Sequence, residues 1–350
     1  MRPVLLVAQS GLLGGAERVL LDWSRALERP TLLACPPGPL AAAARDAGLE
    51  PLGLPHRALR ARGRPGRAAL ELAGLGRDVA RLARRHRPAV VVASGVRPIL
   101  AAASAPLSGA RLVALNHDVA ATTLALALRA ASARSAATIA TSRAIAHTAA
   151  PGAVVIHPGV ELADWALPDP PPSPPRALYL GALVPWKRPD LALEIAARVP
   201  GLALDLAGAP LRDDPPGFAA ALHARAARPD LAGRVRFLGA VTDPRSAMAG
   251  AQCLLHCADN EPFGLALVEA LAAGRPVVAP AAGGPIEIVT PACGRLYAPG
   301  DAASGAAAVR SILADDRAPA AARERAAAFD APTAARRFSE LIEDVARGGH

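Results

Sequence analysis

The chain has 350 residues, 52% of them hydrophobic, and a formal net charge of +9 at pH 7. At roughly 100 to 200 residues per domain, this length indicates two domains, and the hydrophobic content excludes a disordered chain. Aromatic residues make up only 3%, which leaves few rings to stack on bases, so we expect no nucleic-acid partner. The positive charge favours phosphates, acidic lipid surfaces or nucleic acid, but the motifs described below do not fit a DNA-binding protein.

The first half alternates short apolar runs with longer helical patterns. A first strand over 3–8 running into a glycine turn explains the N-terminal residues better than a signal peptide does. No run of 18 apolar residues is free of charge and proline, so we expect no spanning helix. Further strands are predicted over 31–35, 89–93, 111–115, 136–141 and 153–157, and helices over 15–28 and 75–86.

The second half repeats this alternation after a proline-rich segment. Residues 164–176 read DWALPDPPPSPPR, which neither continues a helix nor donates to a sheet. We therefore predict an N-terminal domain over 1–163, a hinge over 164–176, a C-terminal domain over 177–330 and a final amphipathic helix over 331–350. Strands are predicted over 177–181, 202–207, 234–238, 252–256 and 276–279.

Alternating strands and helices are typical of α/β domains with parallel, doubly wound sheets. Two such Rossmann-like domains joined by a hinge imply a cleft between them. Ligands of open α/β sheets lie beyond the carboxyl ends of the strands. The segments that follow predicted strands are therefore the candidate binding segments.

The first candidate segment is QSGLLGGAERVLL, residues 9–21. Gly14 and Gly15 let the backbone approach a ligand, and the helix behind them offers free amides that suit a phosphate. No GxGxxG is present, which excludes a dinucleotide fingerprint. A plain structural turn is the alternative interpretation.

The second candidate segment is YLGALVPWKRPDLALEIA, residues 179–196. Lys187, the only lysine of the chain, and Arg188 lie in the loop between a strand and a helix. Cations at this position can neutralise a diphosphate. The alternative is a solvated loop cation.

The third candidate segment, NEPFGLALVEALAAGRPVVAPAAGGPIEIV over 260–289, is the most specific. Glu261 precedes a helix that starts near Leu265, and Glu269 lies two turns along it. Amides at the helix start suit an anion, and carboxylates accept hydrogen bonds from vicinal hydroxyls. A phosphate flanked by two such carboxylates describes a nucleotide sugar.

These segments together resemble the retaining family-4-type glycosyltransferases of the GT-B fold, also called glycosyl transferases group 1. The resemblance runs almost from end to end, and its most specific match is the E-x7-E motif from Glu261 to Glu269. The other matching stretches are GGAERVLL (14–21), ALNHD (114–118), ATSRAIA (140–146) and VIHPGVE (155–161).

The resemblance implies two Rossmann-like domains that face each other across a cleft, with the final helix crossing back to the N-terminal domain. It also implies transfer of a sugar from a UDP- or GDP-sugar to a glycan, lipid-linked or small acceptor, with retention of configuration. No cofactor is expected. Because the chain has no D-x-D motif, we expect metal-independent chemistry in which protein cations replace the ion.

Roles carry over by position in the motifs. His117 would bind the donor sugar near the reacting carbon, Lys187 the diphosphate, Glu261 the sugar hydroxyls and Glu269 the ribose. Backbone groups would complete the site: those of Gly14 and Gly15 for phosphate or acceptor, and those of Phe263, Gly264 and Leu265 for sugar and phosphate. For His117 a purely structural histidine is the alternative.

The chain departs from the family pattern at three places. Ala182 stands where the family usually has an arginine that shares the phosphate with the lysine. Arg188 stands where glycine usually follows the lysine, and we hypothesise that it supplies the missing charge. His256 and Cys257 stand where Pro–Ser is common, a departure that the sequence leaves without an interpretation.

Segment 57–87 concentrates positive charge, with ten arginines against Glu71 and Asp78. We expect it to be either a solvated face or a surface for anionic lipid. Four scattered cysteines favour buried thiols over a disulfide framework or metal site, which fits a reducing compartment. The expected location is cytoplasmic, with peripheral attachment at the inner membrane face as one possibility.

Two other functions remain open at this point. One is a catalytically weak nucleotide-sugar-binding relative of the transferases, which Ala182 motivates. The other is a sugar-nucleotide epimerase of the same fold. Turnover of a donor to free nucleoside diphosphate would separate a transferase from the weakly catalytic relative. Formation of an isomeric sugar without acceptor would identify the epimerase.

Overall fold

A computed structural model describes residues 1–57, 65–119, 122–150, 152–170, 173–211 and 217–349. Its contacts divide the chain into two units: Met1–Gly159 with Ala331–His350, and Val160–Asp330. Each unit has its own parallel sheet and its own core.

The first unit is built on a sheet whose seven strands lie in the order β3-β2-β1-β4-β5-β6-β7, all parallel. The strands are β1 (Val4–Ala8), β2 (Thr31–Cys35), β3 (Glu50–Gly53), β4 (Val90–Ser94), β5 (Arg111–Asn116), β6 (Ala137–Ala140) and β7 (Val154–Val155). The helices are α1 (Gly15–Ser24), α2 (Pro39–Asp46), α3 (Pro65–His86), α4 (Val96–Ala103), α5 (Thr122–Ala133) and α6 (Arg143–Ala149), with α14 (Ala331–Arg347) from the end of the chain.

The second unit has a parallel sheet of six strands in the order β10-β9-β8-β11-β12-β13. The strands are β8 (Arg176–Leu180), β9 (Ala203–Ala207), β10 (Val235–Gly239), β11 (Cys253–Leu255), β12 (Val277–Pro280) and β13 (Gly294–Tyr297). The helices are α7 (Pro189–Ala197), α8 (Phe218–Ala226), α9 (Pro244–Ala249), α10 (Leu265–Ala272), α11 (Pro285–Ile288), α12 (Ala302–Leu313) and α13 (Ala318–Ala326), and short 3₁₀ turns span Leu162–Trp165, Pro185–Lys187 and Ala327–Phe329.

Both sheets reverse the direction of strand addition once. In the first unit the reversal lies between β1 and β4, and in the second between β8 and β11. Loops that leave the carboxyl ends of such a strand pair diverge to opposite sides, which opens a crevice at the sheet edge. The loops after these four strands are therefore the candidate ligand-binding loops.

The apolar composition of the central strands explains why they lie inside. All five residues of Val4–Ala8 and of Val90–Ser94 are buried, as helices on both faces of a parallel sheet require. Helix α14 lies on the first unit, with the Phe338 ring 5.2 Å from that of Trp23. Arg29 forms an ion pair with Glu343 of this helix at 2.8 Å.

The structure divides the chain at a different place from the predicted hinge. The segment that starts the predicted hinge lies within the second unit, because Trp165 is buried in its core. The Arg275 guanidinium also donates to the Pro168 carbonyl at 2.5 Å, which ties this stretch to the unit. Of the predicted hinge, residues 171–172 lie outside the described part of the chain.

Candidate functional site

In the first unit, the glycine loop follows β1 and leads into α1. Glu17 in the first helical turn accepts a hydrogen bond from the Gly14 amide at 3.1 Å, which closes the loop onto the helix. A Cβ atom added to Gly15 would meet no atom within 4 Å. The backbone at Gly15 therefore borders open space, which suits close approach of a ligand.

A second pair of glycines, which the sequence analysis missed, fixes this loop. A Cβ added to Gly38 would lie 2.5 Å from the Gly11 carbonyl oxygen, and one added to Gly11 would lie 2.6 Å from that of Pro37. The Leu40 amide also donates to the Gly11 carbonyl at 3.0 Å. The loops after β1 and β2 thus touch backbone to backbone, where side chains do not fit.

His117 follows β5 at the same edge of the sheet. Its Nδ1 lies 3.4 Å from the Ser94 hydroxyl, and its Nε2 lies 3.6 Å from the Asp118 carboxylate. A Cβ added to Gly95, whose φ is +91°, would lie 3.3 Å from the same Nε2. Since its side chain is still 17% exposed, His117 is held by its neighbours without being sealed from solvent.

In the second unit, the structure brings Lys187 and Glu261 together. Lys187 ends a 3₁₀ turn after β8, and Glu261 lies in the loop after β11, the two strands at which the sheet order reverses. The Lys187 Nζ lies 2.5 Å from Glu261 Oε2. Two predicted site residues 74 positions apart thus form one ion pair at the expected edge.

A third polar side chain, that of His256, completes this cluster. His256 Nε2 lies 3.3 Å from the same Glu261 Oε2. Burial alone would raise the pKa of Glu261, but His256 and the Lys187 ammonium outweigh it and lower that pKa to about 2. Glu261 is therefore an ionised carboxylate although its side chain is only 10% exposed.

The loop that carries Glu261 is held by Gly283 and Gly284 after β12. A Cβ at Gly283 would lie 2.4 Å from the Glu261 carbonyl oxygen, and one at Gly284 would lie 2.1 Å from that of Phe263. The Gly284 amide donates to the Glu261 carbonyl at 2.9 Å. Gly283 and Gly284 therefore support the loop of Glu261, a contact that the sequence alone did not predict.

The remaining residues of the E-x7-E segment differ in what they offer. The Phe263 side chain is buried and packs against Phe329, so it does not reach a ligand. Gly264, with φ of +106°, precedes α10, which begins at Leu265. Glu269 lies in the second turn of α10 and is partly buried.

Arg188 takes a left-handed backbone conformation, with φ of +54°. Glycine adopts this conformation without the penalty that a Cβ adds, which explains why a glycine suits the position. The Arg188 guanidinium forms ion pairs at 3.0 Å with both Asp190 and Asp259. Ala182 brings no charge, but its carbonyl accepts a hydrogen bond from the buried Tyr179 hydroxyl at 3.0 Å.

The basic segment 57–87 is partly internally neutralised. Residues 58–64, with three of its arginines, lie outside the described part of the chain. Arg57 forms ion pairs with Glu71 at 3.2 Å and Asp78 at 2.5 Å, and Arg81 pairs with Asp78 at 3.0 Å. The other arginines of α3, which are Arg67, Arg77, Arg84 and Arg85, are exposed.

Two kinds of feature are absent from the described ranges. They contain no cluster of three or more His, Cys, Asp or Glu side chains arranged to hold a metal ion. They also contain no helix that is both long and apolar enough to span a bilayer. The four cysteines are buried and unpaired, as the sequence predicts.

Comparison with known proteins gives a consistent result for both units. The family model "Glycosyltransferase Family 4" matches residues 13–164, and "Glycosyl transferases group 1" matches residues 168–329. D-inositol 3-phosphate glycosyltransferase of Mycobacterium avium is 33% identical over 204 residues, which cover 53% of this chain and 47% of that protein. The chain spans about half the length of the curated relatives it matches.

Solved structures share the whole fold. HepE of Anabaena in complex with UDP and glucose superposes with a TM-score of 0.83 at 23% identity, covering 98% of this chain and 100% of that one. Sucrose-phosphate synthase of Thermosynechococcus elongatus gives 0.82 at 18% identity, covering all of both chains. The predicted pair of Rossmann-like domains is therefore confirmed. With the two family models, this similarity shows that the chain belongs to the family-4-type glycosyltransferases of the GT-B fold.

Proposed function

We propose that this protein transfers a sugar from a UDP- or GDP-sugar to a glycan, lipid-linked or small acceptor, retaining anomeric configuration and using no metal ion. One observation carries the proposal. A partly buried ion pair between Lys187 and Glu261 lies at the strand-order reversal of the second sheet. An ammonium and an ionised carboxylate side by side match a ligand that places a diphosphate next to sugar hydroxyls.

Each candidate site residue of the second unit has a distinct role in the proposed reaction. The Lys187 ammonium binds the diphosphate and stabilises the negative charge that develops as the bond to the sugar breaks. Glu261 accepts hydrogen bonds from sugar hydroxyls, and the amides at Gly264 and Leu265 support the sugar and phosphate. Glu269, in the second turn of α10, accepts hydrogen bonds from the ribose.

The first unit contributes His117 and the glycine loop. In the proposed reaction His117 binds the sugar near the reacting carbon, and the backbone of Gly14 and Gly15 contacts phosphate or acceptor. The acceptor hydroxyl attacks from the face that the diphosphate leaves, and a leaving phosphate oxygen takes its proton. The anomeric bond forms on the face where it breaks, which gives retention.

The first donor and acceptor to test follow from the similar proteins. HepE is described in complex with UDP-glucose, so UDP-glucose is the first donor. The name of the Mycobacterium avium relative specifies an inositol 3-phosphate, so that phosphorylated polyol is the first small acceptor. We infer that a phosphorylated acceptor would also suit the positive net charge of the chain.

Thermal unfolding with UDP-, GDP-, ADP- and dTDP-sugars tests donor binding. A ligand at about 100 times its dissociation constant adds about 2.7 kcal/mol of stability, so one nucleotide series should raise the melting temperature. Glu269→Ala should abolish the shift, while Glu324→Ala at an exposed position of α13 should keep it. A wild-type protein that responds to none of the four series would refute the proposal.

Turnover tests the chemistry. We expect release of nucleoside diphosphate that depends on acceptor and persists in EDTA, and NMR of the product should show the anomeric configuration of the donor. Inverted product would refute retention, and loss of activity in EDTA that metal restores would refute metal independence. Formation of an isomeric sugar without acceptor would indicate an epimerase.

One observation favours a second candidate, a nucleotide-sugar-binding protein with weak catalysis. Ala182 brings no cation to the loop after β8, and the Arg188 guanidinium is paired with two carboxylates. A site with only Lys187 for the diphosphate would stabilise the leaving group less. Clear donor binding without acceptor-dependent turnover would support this candidate over the transferase.

The exposed side of α3 is the proposed membrane-facing surface. It carries Arg67, Arg77 and Arg84 together with Leu70, which is 70% exposed. Surface arginines contribute on the order of 1 kcal/mol each toward an acidic leaflet. We expect co-sedimentation with phosphatidylglycerol vesicles and not with phosphatidylcholine vesicles, reduced by Arg77→Ser with Arg84→Ser. Equal recovery with both lipids would contradict peripheral attachment through this surface.

A further inference from the structure

We propose that His256 is a positioning residue for Glu261: it remains in contact with the carboxylate when a donor diphosphate draws Lys187 away, and so keeps Glu261 oriented toward the sugar. This inference rests on the proposed function and deepens it. It assigns a role to a side chain that lies outside the E-x7-E motif.

The backbone of His256 is fixed from two sides. The residue directly follows β11, and its amide donates to the Val278 carbonyl on β12 at 2.8 Å. Its own carbonyl accepts a hydrogen bond from the Tyr297 hydroxyl at 3.0 Å. With a side chain only 6% exposed, the imidazole has little freedom to leave its place beside the loop of Glu261.

Both partners of Glu261 contact the same oxygen. Lys187 Nζ lies 2.5 Å and His256 Nε2 lies 3.3 Å from Oε2. The second carboxylate oxygen, Oε1, takes part in neither contact and can accept a hydrogen bond from a sugar hydroxyl. Anchoring of Oε2 therefore sets the direction in which Oε1 points.

The His256 imidazole has a ring nitrogen that makes no hydrogen bond in this arrangement. Its buried Nε2 has no aligned hydrogen-bond partner, because the approach to Glu261 is within ion-pair distance but not in hydrogen-bond geometry. A buried nitrogen without a partner is costly unless another arrangement satisfies it. A small shift of the carboxylate away from Lys187 would allow a proton on Nε2 to point directly at Oε2.

The proposed reaction requires such a shift. Lys187 is needed at the diphosphate, yet in the structure it neutralises Glu261. Removing one partner of a buried pair leaves a buried charge without compensation, which is strongly unfavourable. An N–H at His256 Nε2 can donate to the carboxylate that Lys187 releases, so Glu261 keeps a hydrogen-bond partner when the ammonium turns to the phosphate.

Two of the three departures from the family pattern, Ala182 and His256, thus have related consequences. Ala182 removes a cation from the phosphate side of the site, and His256 places a nitrogen donor on the Glu261 side, where proline is common. Proline would have neither a donor nor the amide that bonds to Val278. With a single lysine available, a donor that frees it for phosphate is of particular value in this chain.

The test compares binding of UDP and UDP-glucose by isothermal titration calorimetry. His256→Leu removes the donor at similar volume, and His256→Gln keeps a nitrogen donor. We expect His256→Leu to weaken UDP, whose diphosphate also draws Lys187 from Glu261, and to weaken UDP-glucose about tenfold more than UDP, the effect of one hydrogen bond to a charged group. His256→Gln should recover most of the affinity for UDP-glucose.

A double-mutant cycle separates positioning from structural damage. In the Glu261→Gln background, His256→Leu should cause little further loss of UDP-glucose affinity, because the two residues act through one contact. Equal weakening of UDP and UDP-glucose by His256→Leu would overturn the inference, as would unchanged binding of both. Should His256→Leu fail to fold, a wild-type ratio of the two affinities in His256→Phe, which also lacks a donor, would overturn it.

Failure of the proposed function is distinguishable from failure of this inference. If the wild-type protein bound no nucleotide sugar of any series, the proposed function would fall and this inference with it. If the wild type binds and turns over UDP-glucose while His256→Leu keeps its kcat and KM, only the role of His256 is refuted.

Discussion

Replacing Glu261 by glutamine should destabilise the protein in a pH-dependent manner. The carboxylate is buried, and its pKa is lowered from 4.5 to about 2 by His256 and Lys187, which together outweigh the effect of burial. Glutamine has nearly the same shape but no charge, so the variant loses the ion pair with little change in packing. The difference in stability between wild type and variant therefore reports the ionised carboxylate.

The size of the effect follows from the pKa of Glu261. A pKa lowered by about two and a half units corresponds to about 3 kcal/mol at neutral pH, at about 1.4 kcal/mol per unit. Because the folded-state pKa is the lower one, this stabilisation is complete above pH 4.5 and disappears as the pH falls through about 2. At about pH 3.5, roughly 2 kcal/mol should remain.

Differential scanning calorimetry of both proteins between pH 7 and pH 3.5 measures this difference. The melting temperatures should lie furthest apart at neutral pH and approach each other below pH 4.5. Glu324→Gln, at an exposed position of α13 in the same unit, should melt as the wild type does throughout. A wild-type-to-Glu261→Gln difference that is absent at pH 7, or that grows as the pH falls, would refute the assignment of an ionised, paired Glu261.

Three further substitutions test the loops. Arg188→Gly removes a left-handed arginine and its ion pairs, so we expect a melting temperature close to wild type but sharply slower donor turnover; unchanged kinetics would show that Arg188 supplies no charge to the donor. Gly284→Ala places a Cβ 2.1 Å from a backbone carbonyl and should cost about 2 kcal/mol or more in urea unfolding, whereas Gly250→Ala, with open space around it, should cost little; equal costs would contradict the supporting contact. Gly95→Ala, at φ of +91° and 3.3 Å from the His117 ring, should lower both melting temperature and kcat, and an unaltered kcat would argue for a purely structural histidine.

Most strands could be predicted from the sequence because buried parallel strands are continuous apolar runs. Val4–Ala8 and Val90–Ser94 are such runs, and every residue in them is buried. The two strands that were missed, Glu50–Gly53 and Gly294–Tyr297, are short edge strands with charged or glycine residues. Their place is set by the neighbouring strand, so their own residues carry little signal.

Helix α3 shows a different limit of prediction. The regular apolar spacing predicts a helix over 75–86, but the structure extends it to Pro65–His86. The added turns contain Ala68, Ala69 and Ala73, which form helices readily, while their large apolar residues are only Leu70 and Leu72. Periodicity alone therefore underestimates a helix whose first turns face solvent.

The candidate site was predicted as separate segments and not as a contact. Motif resemblance identified Lys187 and Glu261, but only the sheet order places residues 74 positions apart at one edge. His256 has no such signal in its own segment, because its partner is set by the path of the following loop. Gly283 and Gly284 likewise show their function only through the backbone that they contact.

The two sheets use one topology for different kinds of chemistry. Each reverses its strand order once, and each places its candidate residues in loops at the carboxyl ends around that reversal. In the first unit these loops offer glycine backbone and one histidine beside Ser94. In the second they offer a partly buried ammonium and a buried imidazole that both contact Oε2 of one buried carboxylate. Since buried charges require partners, the proposed movement of Lys187 to a diphosphate requires another partner for Glu261, and the His256 substitutions test whether His256 is that partner.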